Sequence, residues 1–335
     1  MKIRFNHHIN IAVSICVLCS VTMTGCNDEG SDDETATTSQ NVALGSTNST
    51  TSTVGVGCDY NYSAYNSSSS VEADSNASWT CSDTQRKLVA NGIPNHSVGT
   101  FPNDANPNAI SALTVDIGYT LTPTLAAMST ELGGSIGTLG YLLNGVKINP
   151  STLGSCADNA NTTDIAIGTP CSPDHANANW SIEALGQTSF DFGIDANNAR
   201  VQLGGAYHYH GIPEGFVISR GGDATKMTLI GWAADGFPIY ARYGYTNAND
   251  ATSALKVMEG SYKHISDADI PGTRPAKSVM PMGTFKQDWE YVVGSGDLDE
   301  CNGRTGVTPE FPNGIYHYYA TDTYPYLQRC LKGNL

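Results

Sequence analysis

Basic residues are scarce in this 335-residue chain: 17 Lys and Arg stand against 32 Asp and Glu, a formal net charge of −15. That scarcity excludes nucleic acid as a partner, because phosphates call for Lys and Arg. It also argues against docking on anionic lipid by charge. No apolar run reaches the roughly 20 residues that a membrane-spanning helix needs; the one from Ile11 to about Val21 is too short. A Gly-x-Ser-x-Gly nucleophile elbow is missing, and Gly294-Ser295-Gly296 lacks its flanking spacing. A phosphate-binding glycine loop ending in Lys-Ser or Lys-Thr is missing too. Beyond the first 26 residues there is no Cys-x-x-Cys, which argues against dithiol redox chemistry.

What is present begins with an export signal. Lys2 and Arg4 precede the short apolar run, as in a secretory signal peptide over residues 1–25. The run ends in Met23-Thr24-Gly25-Cys26, similar to a bacterial lipobox with Cys26 as the lipidated residue. Asn27 after that cysteine points to the outer membrane, with a free secreted protein as the alternative. The bilayer would then be a partner through the N-terminal anchor. Removing the signal leaves 15 basic residues against 32 acidic ones. Residues 26–57 are Ser, Thr, Asn, Asp and Gly with hardly a large apolar side chain, a composition expected to form a flexible tether. Its reach would be on the order of 30 Å. Residues 58–335 then form one domain. Six cysteines remain there, an even number that in an exported protein implies disulfides. Proximity in sequence suggests Cys58–Cys81, Cys156–Cys171 and Cys301–Cys330.

The domain reads as mainly β: an antiparallel sheet or sandwich with long loops, a few short helices and disulfide staples. Leu113, Val115, Ile117, Tyr119 and Leu121 alternate with polar residues, the period of a half-buried strand. Short apolar runs recur at Ala199–Leu203, Gly215–Ser219, Met227–Trp232 and Trp289–Val293. Asn-Gly turn signals punctuate the sequence at 91–92, 144–145, 302–303 and 313–314. Thr124–Leu132 and Ala251–Met258 are the two helix candidates.

The tripeptide Tyr-His-Tyr occurs twice, at Tyr207-His208-Tyr209 and Tyr316-His317-Tyr318, each preceded by a glycine two residues before. On a strand, His208 and His210 share one face and Tyr207 and Tyr209 the other. If the two strands were neighbours, His208, His210 and His317 would converge on one point. Three imidazoles with an open position suit Zn or Cu. His96 is a possible fourth ligand, His175 and His264 weaker ones, and Tyr207, Tyr209, Tyr316 and Tyr318 would line the ligand site.

Several segments together resemble the bacterial YHYH-domain proteins: Asn91–His96 with Phe101-Pro102-Asn103, Gly205–Gly211, Leu229–Tyr240, Gly296–Arg304 and Val307–Tyr324. The resemblance covers roughly residues 91–333 and implies domain identity more than chemistry. Arg200 stands where that family often has a histidine, so no ligand is assigned there.

Two functions from different classes fit. One is a surface-tethered module that binds a metal, a small molecule or a glycan, or serves structurally in the envelope. The other is a metal-dependent hydrolase with Asp235 or Glu300 as base. Calcium is a lesser expectation: Asp297-Leu298-Asp299-Glu300-Cys301-Asn302-Gly303 resembles an EF-hand loop, but the register fails at Cys301 and Asn302.

Overall fold

Val, Tyr, Thr and Ile runs separated by glycine turns build 21 short strands and one α-helix among the described residues. The computed structural model describes residues 52–131, 138–149, 152–177 and 179–335. The signal, Cys26 and most of the expected tether lie outside them. All described residues belong to one compact unit, Thr47–Leu335.

Strands β1 (Asn61–Asn66), β2 (Ala73–Cys81), β3 (Gln85–Ala90) and β4 (Val115–Thr120) form an antiparallel sheet in that order. Strand β5 (Leu125–Glu131) follows, then the hairpin β6 (Gly140–Leu142) and β7 (Lys147–Ile148). A three-stranded sheet comprises β8 (Thr152–Cys156), β9 (Cys171–Ser172) and β10 (Trp180–Glu183). Next come β11 (Ala199–Val201), β12 (Tyr207–Tyr209), helix α1 (Glu214–Ser219) and the hairpin β13 (Thr228–Ala233) and β14 (Pro238–Ala241). Two small ribbons pair β15 (Tyr243–Tyr245) with β16 (Leu255–Val257) and β17 (Tyr262–His264) with β18 (Trp289–Tyr291). The chain ends with β19 (Gly303–Gly306), β20 (Ile315–Ala320) and β21 (Cys330–Gly333).

The central sheet has eight strands in the order β11-β12-β7-β6-β13-β14-β20-β19. It is mixed: β12–β7 and β14–β20 are parallel, the rest antiparallel. Trp79, Leu88, Tyr119, Leu142, Tyr207, Trp232 and Tyr318 share one core, joining this sheet to the four-stranded one. Trp79 adds a cross-tie, its Nε1–H donating to Leu143 O at 3.0 Å.

The sheet order is a palindrome, and the residues obey it. Gly140-Tyr141-Leu142-Leu143-Asn144-Gly145 corresponds to Gly231-Trp232-Ala233-Ala234-Asp235-Gly236. Between β6 and β13, Gly140 faces Ala233, Tyr141 faces Trp232 and Leu142 faces Gly231, so the pseudo-two-fold passes through the Tyr141–Trp232 pair. The hydrogen bonds repeat as well: Leu143 N to Ile230 O at 2.8 Å is matched by Ala234 N to Leu139 O at 2.9 Å. Val146 N to Asn144 Oδ1 at 3.2 Å is matched by Phe237 N to Asp235 Oδ1 at 3.2 Å. In both hairpins the glycine of the turn takes positive φ, 78° at Gly145 and 86° at Gly236. The outer strands follow the same rule: Arg200 pairs with His208 across β11–β12, and Arg304 with His317 across β19–β20. Asn198 and Asn302, at φ 55° and 61°, immediately precede the two outer strands.

The mainly β class and all three disulfides, Cys58–Cys81, Cys156–Cys171 and Cys301–Cys330, are as expected. Three local expectations are corrected. Residues 125–131 of the first helix candidate form β5, because they find a long-range partner in β21. The second, Ala251–Met258, is a turn followed by β16. Gly215–Ser219 lies in α1 rather than a strand; Phe216 and Val217 face the core while Ile218 is exposed, a helical burial pattern. The fold also starts before Cys58: Thr53 is buried, its N–H donates to Leu121 O at 2.7 Å, and Arg86 donates to Thr53 O at 3.0 Å.

Candidate functional site

The two Tyr-His-Tyr strands are not neighbours. Four strands separate β12 from β20. At about 4.8 Å per strand they stand roughly 24 Å apart. The expected meeting of His208, His210 and His317 is therefore corrected: the two-fold places the copies at opposite ends of one sheet. Among the described residues, no group of three or more His, Cys, Asp or Glu is arranged to hold a metal ion.

Face alternation within the first copy is as the sequence implies. His208 and His210 point the same way, with Nε2 to Nε2 at 3.0 Å. His208 Nδ1 lies 3.0 Å from Ala206 O, which can only accept, so that nitrogen carries the proton and the lone pair is on Nε2. Burial, with the charges of Lys147 and Arg200, pulls His208 down to about 3 and keeps it neutral at pH 7. The imidazole pair borders a cavity of about 600 Å³. Arg200, Gln202 and Asn149 line it from the central sheet's side, and Leu153, Ile165 and Phe192 from the insertion between β7 and β11. Lys147 Nζ donates to Gln202 Oε1 at 2.6 Å, fixing that amide at the wall.

The tyrosines point into the core. Tyr207 donates to Asp195 Oδ2 at 2.7 Å. Tyr209 donates to His96 Nε2 at 2.6 Å and accepts from Asn144 Nδ2 at 3.0 Å. His96 is thus on the opposite face from His208 and His210, with its Nδ1 on Ser97 O at 2.9 Å; it does not complete a ligand set with them. Burial lowers its proton affinity and raises that of Tyr207 and Tyr209.

The second copy repeats this arrangement. Tyr316 donates to Asp299 Oδ2 at 2.9 Å, and Tyr318 to Asp235 Oδ2 at 2.5 Å. His317 Nδ1 lies 2.9 Å from Ile315 O. Where the first copy has His210, this one has Tyr319, whose hydroxyl sits 2.9 Å from His317 Nε2. His317 is thus satisfied within its own strand. Tyr316 and Arg304 border a separate cavity of about 500 Å³.

Asp235 is fully buried, and its oxygens accept from Tyr318, Phe237 N and Gly333 N. It anchors the C-terminal strand. Glu300 pairs with Lys332 of that strand. Neither is placed beside His208 and His210. Asp299 accepts from Cys301 N at 2.9 Å and Gly303 N at 3.0 Å, and Asp297 from Lys256 Nζ at 2.8 Å, so the resembled calcium loop is a capped turn. His175 Nε2 accepts from Gly154 N at 3.1 Å, and His264 packs on Trp289; neither lines the cavity beside His208 and His210.

Residues 116–333 match the family described as YHYH protein. The chain belongs to that family. No curated protein and no solved structure matches it. The YHYH region runs from β4 to β21 and so contains both halves of the two-fold. In the YHYH fold, the features common to both halves are scaffold: tyrosine on Asp195 or Asp299, and histidine Nδ1 on the carbonyl two residues before. The feature confined to the first half, His210 in the place of Tyr319 and beside a cavity, marks the candidate site. Sequence reasoning overlooked Gln202, Asn149 and a site role for Arg200. Aligning the hairpin motif of the two halves would have drawn attention to Arg200 through its counterpart, Arg304.

A pH effect follows from His317, which lies outside that site. Burial, with the charge of Arg304, lowers it to about 3, against about 6.5 unfolded. Between those values the unfolded chain takes a proton that the folded chain refuses, so stability falls as pH drops. Going from pH 7 to pH 5, His317 is expected to remove about 2 kcal/mol. Asp235 and Glu183, raised by burial, act in the opposite sense. Urea unfolding of wild type and His317→Gln at both pH values isolates the histidine: the loss should be smaller in the variant, and equal losses would refute the assignment.

Proposed function

We propose that this protein is an exported, envelope-tethered binding module that holds a divalent transition ion, Cu or Zn, at His208 and His210. The observation that carries the reading is the pair of Nε2 atoms 3.0 Å apart at the wall of a cavity. Ligand nitrogens at about 2.0 Å from a metal are roughly 2.8 Å apart in a square-planar set and roughly 3.3 Å in a tetrahedral one. The separation falls between these. The Nδ1–H of His208 on Ala206 O supplies the outer hydrogen bond that orients a ligating imidazole. His208 is neutral at pH 7, so no proton competes at its Nε2; the proton that His210 Nε2 donates to it would have to leave that nitrogen for both to ligate. Two protein ligands leave coordination positions open to a molecule in the cavity.

Export is supported by three disulfides, which persist in oxidising compartments. The Met23–Cys26 segment supports lipidation at Cys26, and Asn27 after it supports residence at the outer membrane. A binding role is favoured over hydrolysis because Asp235 and Glu300 are committed to the C-terminal strand.

The test is metal analysis by mass spectrometry, with Cu and Zn titration, on the full chain recovered after export. Wild type should bind near-stoichiometric metal, and His208→Ala/His210→Ala should lose it while keeping its thermal midpoint. No binding by wild type after loading, or equal binding by the double variant, would refute the site.

A further inference from the structure

We infer that the cavity beside His208 and His210 receives a small organic carboxylate, and that Arg200 is the residue that binds it. Most of the described arginines are hydrogen-bonded internally, and Arg220 lies over the Tyr60 ring at 5.4 Å. Arg242 pairs with Glu214 and Asp322, Arg274 with Asp288, and Arg329 with Glu183. Arg86 donates to Thr53 O and Val56 O. The Arg200 guanidinium makes no hydrogen bond and no ion pair among the described residues; its Nε is buried without a hydrogen-bond partner, as is that of Arg304, and it lies over the Phe192 ring at 5.9 Å.

The two-fold makes this informative. Arg304 occupies the equivalent position opposite His317, and there Nη2 donates to Tyr245 O at 2.7 Å and reaches the Tyr319 hydroxyl at 3.4 Å. Both arginines border a cavity, but the guanidinium is hydrogen-bonded in one half and has no hydrogen bond among the described residues in the other. A half-buried guanidinium with unused donors calls for an acceptor, and its planar fork fits a carboxylate in two-point contact.

The rest of the wall narrows the class. Leu153, Ile165 and Phe192 offer apolar surface for a hydrocarbon body. Asp174 and Asp191 also border the cavity, which disfavours a phosphate or a polyanion. The volume, about 600 Å³, admits a molecule of several carbons. The inference rests on the same cavity as the metal reading, but not on the metal.

The experiment is calorimetric titration of the metal-free full chain with hexanoate, benzoate and inorganic phosphate, repeated on Arg200→Gln and Arg200→Lys. Cu titration of each protein runs in parallel. Wild type should bind a carboxylate in preference to phosphate, and Arg200→Gln should lose at least about tenfold in that affinity. Arg200→Lys should recover part of it, and both variants should still bind Cu, since Arg200 is not a ligand. Carboxylate affinity that survives Arg200→Gln, a preference for phosphate, or no binding of either carboxylate at millimolar concentration would overturn the inference. Carboxylate binding without any Cu binding would uphold it and refute only the metal reading.

Discussion

Arg274→Ala is expected to destabilise the protein by about 3–5 kcal/mol. Arg274 and Asp288 are 2 % and 0 % exposed, and they meet through two bonds of 2.7 Å, Nε to Oδ1 and Nη2 to Oδ2. The remaining guanidinium donors reach Pro275 O, Met280 O and Pro281 O. Asp288 Oδ2 in turn accepts from Gly283 N and Phe285 N. The pair therefore sets the path of the whole 274–288 segment. Truncating the arginine leaves an uncompensated buried carboxylate, and that stranded charge is the main cost. The segment also carries Met280 and Phe285 into the second core with Trp180 and Phe192. Through Glu183 N to Thr284 O at 2.9 Å, it supports the three-stranded sheet whose β8 supplies Leu153 to the cavity. Urea unfolding of Arg274→Ala and of an Arg274→Met/Asp288→Leu double variant separates charge from packing. The double variant should recover most of the loss, because apolar residues of similar volume need no partner. A single variant within about 1 kcal/mol of wild type would contradict this account.

Gly231→Ala should cost about 3 kcal/mol or more, or prevent folding. A Cβ there would lie 2.5 Å from Tyr141 O and 2.8 Å from Leu142 Cα. Its counterpart Gly140 would place a Cβ 2.3 Å from Trp232 O. Both obstacles are backbone in the centre of an eight-stranded sheet, so no side-chain rotation relieves them. Each glycine lets its own half approach the other across the β6–β13 seam, and Gly140→Ala should behave alike. Gly272→Ala meets nothing within 4 Å and serves as the neutral control. Thermal midpoints of the three variants decide it: tolerance of alanine at both seam positions would mean the two halves are not held by this contact.

Much of the fold was legible because it is written locally. Alternation at 113–121 marked β4, and each of the six described cysteines bonded to a neighbour in sequence. A His-x-His on an extended strand must place both imidazoles on one face, and His208 and His210 do so. Non-local pairing was hidden. Residues 125–131 carry no strong strand pattern and become β5 only because the C-terminal strand lies beside them. The helix at 214–219 was too short for a helical period to stand out from an apolar run.

The sequence alone determined the β class, the disulfides, the pairing of His208 with His210 and the membership signalled by the repeated Tyr-His-Tyr. Those properties depend on residue type and on a side-chain period of two. Only the tertiary structure decided where the two copies stand relative to each other. Strand order depends on where the chain returns to a sheet, and both copies enter by parallel pairing beside hairpins that the Gly140 and Gly231 seam joins back to back. That order separates His317 from His208 and His210, while the segments packed against the sheet give Arg304 a partner in Tyr245 and leave Arg200 without one.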